Sequence, residues 1–346
     1  MVNTENVGII GAGSFGTAMA NLLALNTDVY VYSRSAELVD RLSRDRFRFG
    51  VPLHERVTVV NDFAEVAGRC QLILPIVPSD SFRVMMRSVT QYLEPSHVLL
   101  HGTKGFDITG VALEDIPRLG VERQHVHTMT EVIRQESVVV RTGALAGPNL
   151  ARELLDGQPS GSVIASKFDE VIRRSKAVLG SRQLHVFETH DVLGAELAGV
   201  LKNVIALGSG VLKGYGLGKN IQAMMLTRGL HEMIHFGQAL GSDSTAFFGT
   251  AGVGDLIATA TSRKSRNYTF GYRLGQGERL EEVRATSQEL AEGVRTLMIT
   301  RHLAKHLRLR VPITEMLYRI VFEGFPISEA MEYLITYPYE VDVDFL

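Results

Sequence analysis

The chain has 346 residues, enough for two domains with substantial cores. Its 36 basic and 38 acidic side chains leave a formal net charge of −2, mixed along the chain, so no basic tract invites nucleic acid. Cys70 is the single cysteine, which excludes an internal disulfide and points to a reducing, cytoplasmic compartment. The N-terminus has no positive n-region or long apolar h-region, so no signal peptide is expected. The longest apolar stretch, Leu193 to Leu212, is broken by Glu196, Lys202 and Asn203, so no membrane-spanning segment is expected.

The first apolar run, Val7–Ile10, leads straight into Gly11-Ala-Gly13-Ser14-Phe15-Gly16 and a helical pattern over Thr17–Leu25. A strand, a tight glycine turn and a helix start form the pyrophosphate cradle of a dinucleotide-binding unit. Gly11 permits the turn, Gly13 lets the backbone approach the phosphates, and Gly16 lets helix and strand pack closely. The second strand, Asp28–Tyr32, ends in Ser33-Arg34-Ser35 before a helix over Ala36–Arg44. NAD-specific folds place an acid there for the ribose hydroxyl; here Arg34 could pair with a 2′-phosphate, which favours NADP or dual use. Arg34 could equally be an ordinary exposed loop arginine.

Further strands are expected at Val57–Val60, Leu72–Val77, His97–His101, Val138–Ala144, Ser162–Ala165 and Leu184–Glu188. Their alternation with helical patterns predicts an α/β fold with a parallel, doubly wound, Rossmann-like sheet. Lys104 and Gly147-Pro148-Asn149 follow strands, where such sheets hold ligands. After Thr189 strand signals stop, and helices are expected at Val192–Leu212, Asn220–Leu240, Glu289–His306 and Ser328–Thr336. The expected division is therefore a nucleotide-binding domain at 1–188 and an all-helical domain at 189–346 that closes over the cofactor cleft. The glycine-rich Gly208–Gly218 reads as a loop between two helices.

Lys202 sits in an apolar helix beside Asn203. Its stem could pack while its ammonium snorkels to water, or it could be a desolvated acid/base. Gly252-Val-Gly-Asp255 and Ser265-Arg266-Asn267 form a second constellation; the latter offers several donors and a fixed positive charge, which suits a phosphate dianion. His231-Glu232-Met-Ile-His235 matches a zinc signature. No third ligand follows, both histidines fall opposite the apolar stripe, and a solvated helix face is expected rather than a metal site. His125 and His127 give no metal spacing, and the basic cluster Arg301–Arg310 reads as a solvated helix end.

Ten motifs in order, from Gly11-Ala-Gly-Ser-Phe-Gly-Thr-Ala18 through Thr103-Lys104-Gly105, Gly147-Pro148-Asn149, Leu201-Lys202-Asn203, Gly216-Leu-Gly-Lys-Asn220, Thr227-Arg228-Gly229, Gly252-Val-Gly-Asp255-Leu, Thr261-Ser262 and Ser265-Arg266-Asn267 to Glu292-Gly293-Val-Arg295, resemble the bacterial NAD(P)-dependent glycerol-3-phosphate dehydrogenases. The resemblance implies reversible reduction of dihydroxyacetone phosphate to sn-glycerol 3-phosphate for phospholipid synthesis, by a homodimer acting on a small phosphorylated substrate. It implies Lys202 as proton donor and acceptor, and substrate contacts from Lys104, Gly147, Asn149, Asp255, Ser265, Arg266 and Asn267. It implies nucleotide contacts from Ser14, Phe15, Arg34, Lys104, Ala151, Arg266, Leu290 and Glu292, beside the glycines Gly11, Gly13 and Gly16. The family pattern also sets a threonine four residues after the aspartate, and Thr259 fills it. The cofactor is NADP or NAD, with NADPH favoured by Arg34. Two departures stand out: the stretch between Lys104 and Gly147 is longer than the family pattern, and Asn149 stands where serine or threonine is common. A related 3-hydroxyacid or ketopantoate-type dehydrogenase would share the fingerprint and helical half, but not Ser265-Arg266-Asn267 after Asp255.

Overall fold

Eight strands form one sheet: β1 Val7–Ile10, β2 Val29–Tyr32, β3 Val57–Val60, β4 Leu72–Pro75, β5 Val98–His101, β6 Arg141–Ala146, β7 Ser160–Ala165 and β8 Leu184–Thr189. Their order is β8-β7-β6-β5-β4-β1-β2-β3. Residues 5–287, 291–338 and 341–342 are described by this computed structural model. All eight strands coincide, to within three residues, with the runs read from the sequence. Adjacent strands are parallel except β6 and β7. The one antiparallel pair has a geometric cause. The helix between these strands, Ala151–Leu155, has five residues, or about 7.5 Å. It cannot carry the chain back along a six-residue strand of about 20 Å, so β7 makes the return itself.

The helices of this half are α1 Ser14–Leu23, α2 Ala36–Asp45, α3 Phe63–Arg69, α4 Ser79–Val89, α5 Met129–Glu136, α6 Ala151–Leu155 and α7 Asp169–Leu179. Strand residues alternate between two cores, as the period of a strand requires. Val7, Ile9, Leu72, Leu74, Val98 and Leu100 pack with α1, α2 and α7, whereas Ile10, Ile73 and Leu99 pack with α3, α4 and α5. Helix starts are marked by side-chain caps at Ser35 and Asp62 and by a capping box between Thr128 and Glu131. Cys70 lies in the second of these cores, and burial pushes its thiol up to about 12, so it is unreactive.

The chain packs as two compact units, 1–107 with 128–196, and 108–127 with 197–346. The stretch between Lys104 and Gly147 is thus split: 108–127 belongs to the second unit, and α5 of the first packs on α4. In the second unit the short helical turn Ile116–Leu119 packs on α13, defined below.

The second unit's helices of six or more residues are α8 Val192–Gly214, whose first five residues belong to the first unit, then α9 Lys219–Ala239, α10 Asp255–Ala260, α11 Arg266–Gly275, α12 Leu280–Thr286, α13 Glu292–His306, α14 Pro312–Glu323 and α15 Ile327–Thr336. Among the described residues, α8 is the one helix long and apolar enough to cross a membrane, and 94% of that window is buried inside the protein. It is the core helix of this unit.

Three sequence expectations need correction. Gly208–Gly214 is helix rather than loop. A Cβ on Gly210 or Gly214 would lie 2.1 Å from the Tyr268 or Tyr272 carbonyl of α11, and one on Gly271 or Gly275 would meet α8 equally closely. These glycines let two helix backbones touch, and nothing in the local pattern distinguishes that from a turn. His231 is buried rather than solvated, and so is Glu232, because α9 is packed on more than one side. Glu232 receives hydrogen bonds from the Ile313 and Thr314 amides, at 2.5 and 3.1 Å, and from Thr314 Oγ1 at 2.8 Å. It serves the first turn of α14, where a carboxylate meets unpaired amides. Finally, the Arg301–Arg310 cluster is only partly solvated. Arg301 pairs with Glu315 at 3.0 Å and lies over the Tyr318 ring, while His302 is buried. Burial, with help from Arg301 and Lys305, pushes His302 down to about 4.

Candidate active site

In the first unit the fingerprint has the form its glycines demand. Gly11 has φ +114°, and a Cβ there would sit 2.2 Å from the Ile76 carbonyl oxygen. A Cβ on Gly16 would lie 2.0 Å from the Gly11 carbonyl oxygen. Around Gly13 a Cβ would meet nothing within 4 Å, and both Gly13 and Ser14 are exposed. Gly13 caps α1 without a side-chain bond, and no acid stands in the helix's first turn. The result is an open face of backbone N–H groups at the positive end of a ten-residue helix, which fits a pyrophosphate. Phe15 is half-buried against the backbone of Gly102, where a Cβ would fall 2.9 Å from its ring.

Arg34 is exposed immediately after β2, and Ser35 caps α2 through the Leu38 amide at 3.1 Å. The turn therefore presents Arg34 past the carboxyl end of the strand with no acid at the ribose position.

The strand-end residues Lys104, Gly147 and Asn149 come together. Lys104 Nζ donates to the Gly147 carbonyl at 2.7 Å. Asn149 donates through Nδ2 to the Ala146 carbonyl at 3.1 Å, and its Oδ1 accepts from Ser162 Oγ at 2.8 Å. Ala151 follows as the first residue of α6.

In the second unit Lys202 is 6% exposed, and its ammonium is neither snorkelling nor solitary. Nζ donates to Asp255 Oδ1 at 2.8 Å and to Thr259 Oγ1 at 2.5 Å. One turn of α10 separates the aspartate from the threonine, so both face α8. Asn203, beside the lysine, accepts at Oδ1 from Asn267 Nδ2 at 2.8 Å. Asn267 Oδ1 accepts in turn from the Gly293 amide at 2.8 Å. Asn267 therefore ties the start of α11 to α8 and α13. Ser265 is buried and caps α11 through the Tyr268 amide at 3.3 Å, while Arg266 is exposed. Glu292 is half-buried at the start of α13, and Leu290 lies outside the described residues.

The hydrogen-bonded clamp through Asn203, Asn267 and Gly293 joins residues up to ninety positions apart, so no local pattern could announce it. Likewise, Asp255 and Thr259 stand four apart and share a helix face, but only folding reveals that their common partner is Lys202.

Comparison with known proteins bears on this site. The family model for the N-terminal part of NAD-dependent glycerol-3-phosphate dehydrogenase matches residues 6–172, and that for its C-terminal part matches 191–332. The glycerol-3-phosphate dehydrogenase [NAD(P)+] of Azotobacter vinelandii is 37% identical, covering 100% of this chain and 98% of that protein. The like-named protein of Teredinibacter turnerae is 36% identical over 99% and 98% of the two chains. A crystal structure of the Coxiella burnetii glycerol-3-phosphate dehydrogenase superposes with a TM-score of 0.85 at 28% identity, covering 96% of this chain and 99% of that one. With both halves matched in order and the full length aligned, the chain belongs to the NAD-dependent glycerol-3-phosphate dehydrogenase family.

Proposed function

We propose that this oxidoreductase reduces dihydroxyacetone phosphate to sn-glycerol 3-phosphate, reversibly, with Lys202 as the proton donor and acceptor. The buried Lys202–Asp255–Thr259 triad carries the reading. Bound NAD(P)H supplies the hydride. As the ketone carbon gains it, the oxygen becomes an alkoxide that needs a proton and a nearby positive charge. An ammonium held on two fixed acceptors offers both. Asp255 and Thr259 aim Nζ and hold the cation where solvent is excluded.

Arg266, exposed at the start of α11, grips the substrate phosphate through a bidentate pair, and the adjoining helix N-terminus adds its amides. Ser265 and Asn267 hold that turn in shape; Asn267 keeps one amide hydrogen to offer. Lys104, Gly147 and Asn149 are further substrate contacts in this reading. Phosphate binding remote from the reacting carbon orients the ketone. Gly11, Gly13, Ser14, Phe15, Gly16, Arg34 and Ala151 hold the nucleotide, joined by Leu290 and Glu292, with Lys104 and Arg266 touching both ligands. The glycine cradle, Arg34 and Ala151 fall within the nucleotide-binding domain 1–188, and Lys202 falls within the helical domain 189–346. The product feeds phospholipid synthesis in the cytoplasm.

The protein works as a homodimer in this reading. An apolar groove in the second unit, with the exposed Met224 at its rim and Leu212, Met225, Met316 and Leu317 in its wall, offers a face for such a contact. Light scattering should return twice the chain mass, and a monomer would refute the dimer.

The deciding assay is substrate-dependent oxidation of NADPH. Wild type is expected to turn over dihydroxyacetone phosphate, and Lys202→Ala to lose on the order of a thousandfold in kcat. Undiminished turnover in that variant would remove Lys202 from the mechanism.

A further inference from the structure

The chain passes between its two compact units three times: after Asp107, before Thr128 and after Glu196. All three of these residues are buried, and each is held from within the first unit by side-chain hydrogen bonds. Asp107 accepts from Arg83 Nε at 2.7 Å. Arg83, buried on α4, also donates to Glu136 and, at 2.7 Å, to Gln135 Oε1, both at the end of α5. Thr128 caps the other end of α5 and donates through Oγ1 to Glu196 Oε2 at 2.9 Å. The Thr130 amide donates to Glu196 Oε1 at 2.8 Å, and His101 Nε2 at the end of β5 lies 2.9 Å from the same oxygen. Burial would push the Glu196 carboxyl up, but these partners outweigh it and hold it below the ordinary range.

A buried ionised group with its partners adds little net stability over an apolar core of the same shape. What it does add is a defined geometry. Glu196 joins two of the crossings and His101, and Arg83 joins the remaining one to the same helix, α5. The position of the crossings in the chain is telling. Lys104 lies three residues before Asp107 and three after His101, and Lys202 lies six residues beyond Glu196.

We propose that Glu196, with His101 and Arg83, is a positioning group that fixes the first turns of α8 and the segment after β5, and so sets Lys202 and Lys104, which those stretches carry, for the reaction. The inference rests on the function proposed above. Glu196 need touch neither substrate nor nucleotide. The nucleotide cradle on β1 and α1 is built without it, so its loss should leave nucleotide affinity alone.

The test compares full-length wild type with Glu196→Gln and with His101→Phe, which keeps a flat aromatic side chain but removes both ring nitrogens. Readouts are kcat and KM for dihydroxyacetone phosphate, NADPH affinity from its own fluorescence, and Tm. Glu196→Gln should lower kcat/KM for the substrate on the order of 10- to 100-fold, through kcat as well as KM. Its NADPH affinity should stay within about twofold of wild type. Glu232→Gln, which replaces a buried carboxylate on α9 that none of the crossings uses, should leave both kinetic constants alone. Should Glu196→Gln fail to fold, His101→Phe is read by the same criteria. A variant with reduced Tm but wild-type kcat and KM below its melting range would reduce the cluster to a structural one and overturn the inference. A wild type that leaves dihydroxyacetone phosphate unreduced overturns the functional reading and this inference together; an active wild type beside kinetically silent variants overturns this inference alone.

Discussion

Arg34 is exposed at the end of β2, where the glycine turn and strand order direct a bound ribose. In the proposed role, the guanidinium there distinguishes two nucleotides that differ by one phosphate. Arg34→Ala should weaken NADPH by about 1–3 kcal/mol and NADH far less, because only NADPH loses a charge-assisted pair. Titration with each nucleotide checks this, and equal losses would reject the 2′-phosphate role. Arg266 invites a parallel measurement at the other ligand. Arg266→Ala should raise KM for dihydroxyacetone phosphate by roughly one to two orders of magnitude, since a phosphate clamp contributes binding throughout the reaction. A KM that stays put would move the phosphate elsewhere.

At the scale of elements, two contacts decide how the helical unit is built. The first is the crossing of α8 and α11, where four glycines replace side chains by direct backbone contact. Gly210→Ala should cost about 1–3 kcal/mol or more, because its Cβ would overlap a carbonyl oxygen that cannot retreat. Gly68→Ala, in exposed helix with nothing within 4 Å, should instead gain about 0.4–1 kcal/mol. Urea melts of the two variants would discriminate, and equal effects would contradict the packing. The second contact is Glu232 at the start of α14. Burial pushes its carboxyl up to about 7, against the hydrogen bonds from Thr314 and Ile313 that hold it down. An acid with a raised folded value binds its proton more tightly when folded. Its contribution is therefore largest below the unfolded value near 4.5 and is lost as pH rises towards about 7. Wild type should lose a few kcal/mol across that window relative to Glu232→Gln. Parallel pH slopes for the two proteins would refute it.

For the whole molecule, the glycine cradle at Gly11–Gly16 and Lys202 belong to different compact units. A ligand that binds only the folded state stabilises it by mass action, about 2.7 kcal/mol at a hundred times Kd. NADPH should therefore raise Tm, and Arg34→Ala should blunt the shift at the same concentration. A Tm indifferent to NADPH would argue against the cradle at Gly11–Gly16.

The sequence by itself determined the sheet. Its strands are short apolar runs punctuated by glycine turns and caps, signals written within a few residues, and the fingerprint is local for the same reason. The ordered motifs carried the family as well, since order along a chain needs no folding to be read. Tertiary structure decided what those motifs touch. The sequence marks Lys202 as a lysine in an apolar helix, and the resemblance marks it for proton transfer, but only folding brings Asp255 and Thr259, more than fifty residues on, to its ammonium. Glycines that read as a loop proved to be a helix crossing, and His231 proved buried, because both depend on a neighbour that local pattern cannot name. Glu196 and His101 carried no signal at all. Burial and pairing arise from chain segments brought together by folding, and there the local sequence is silent.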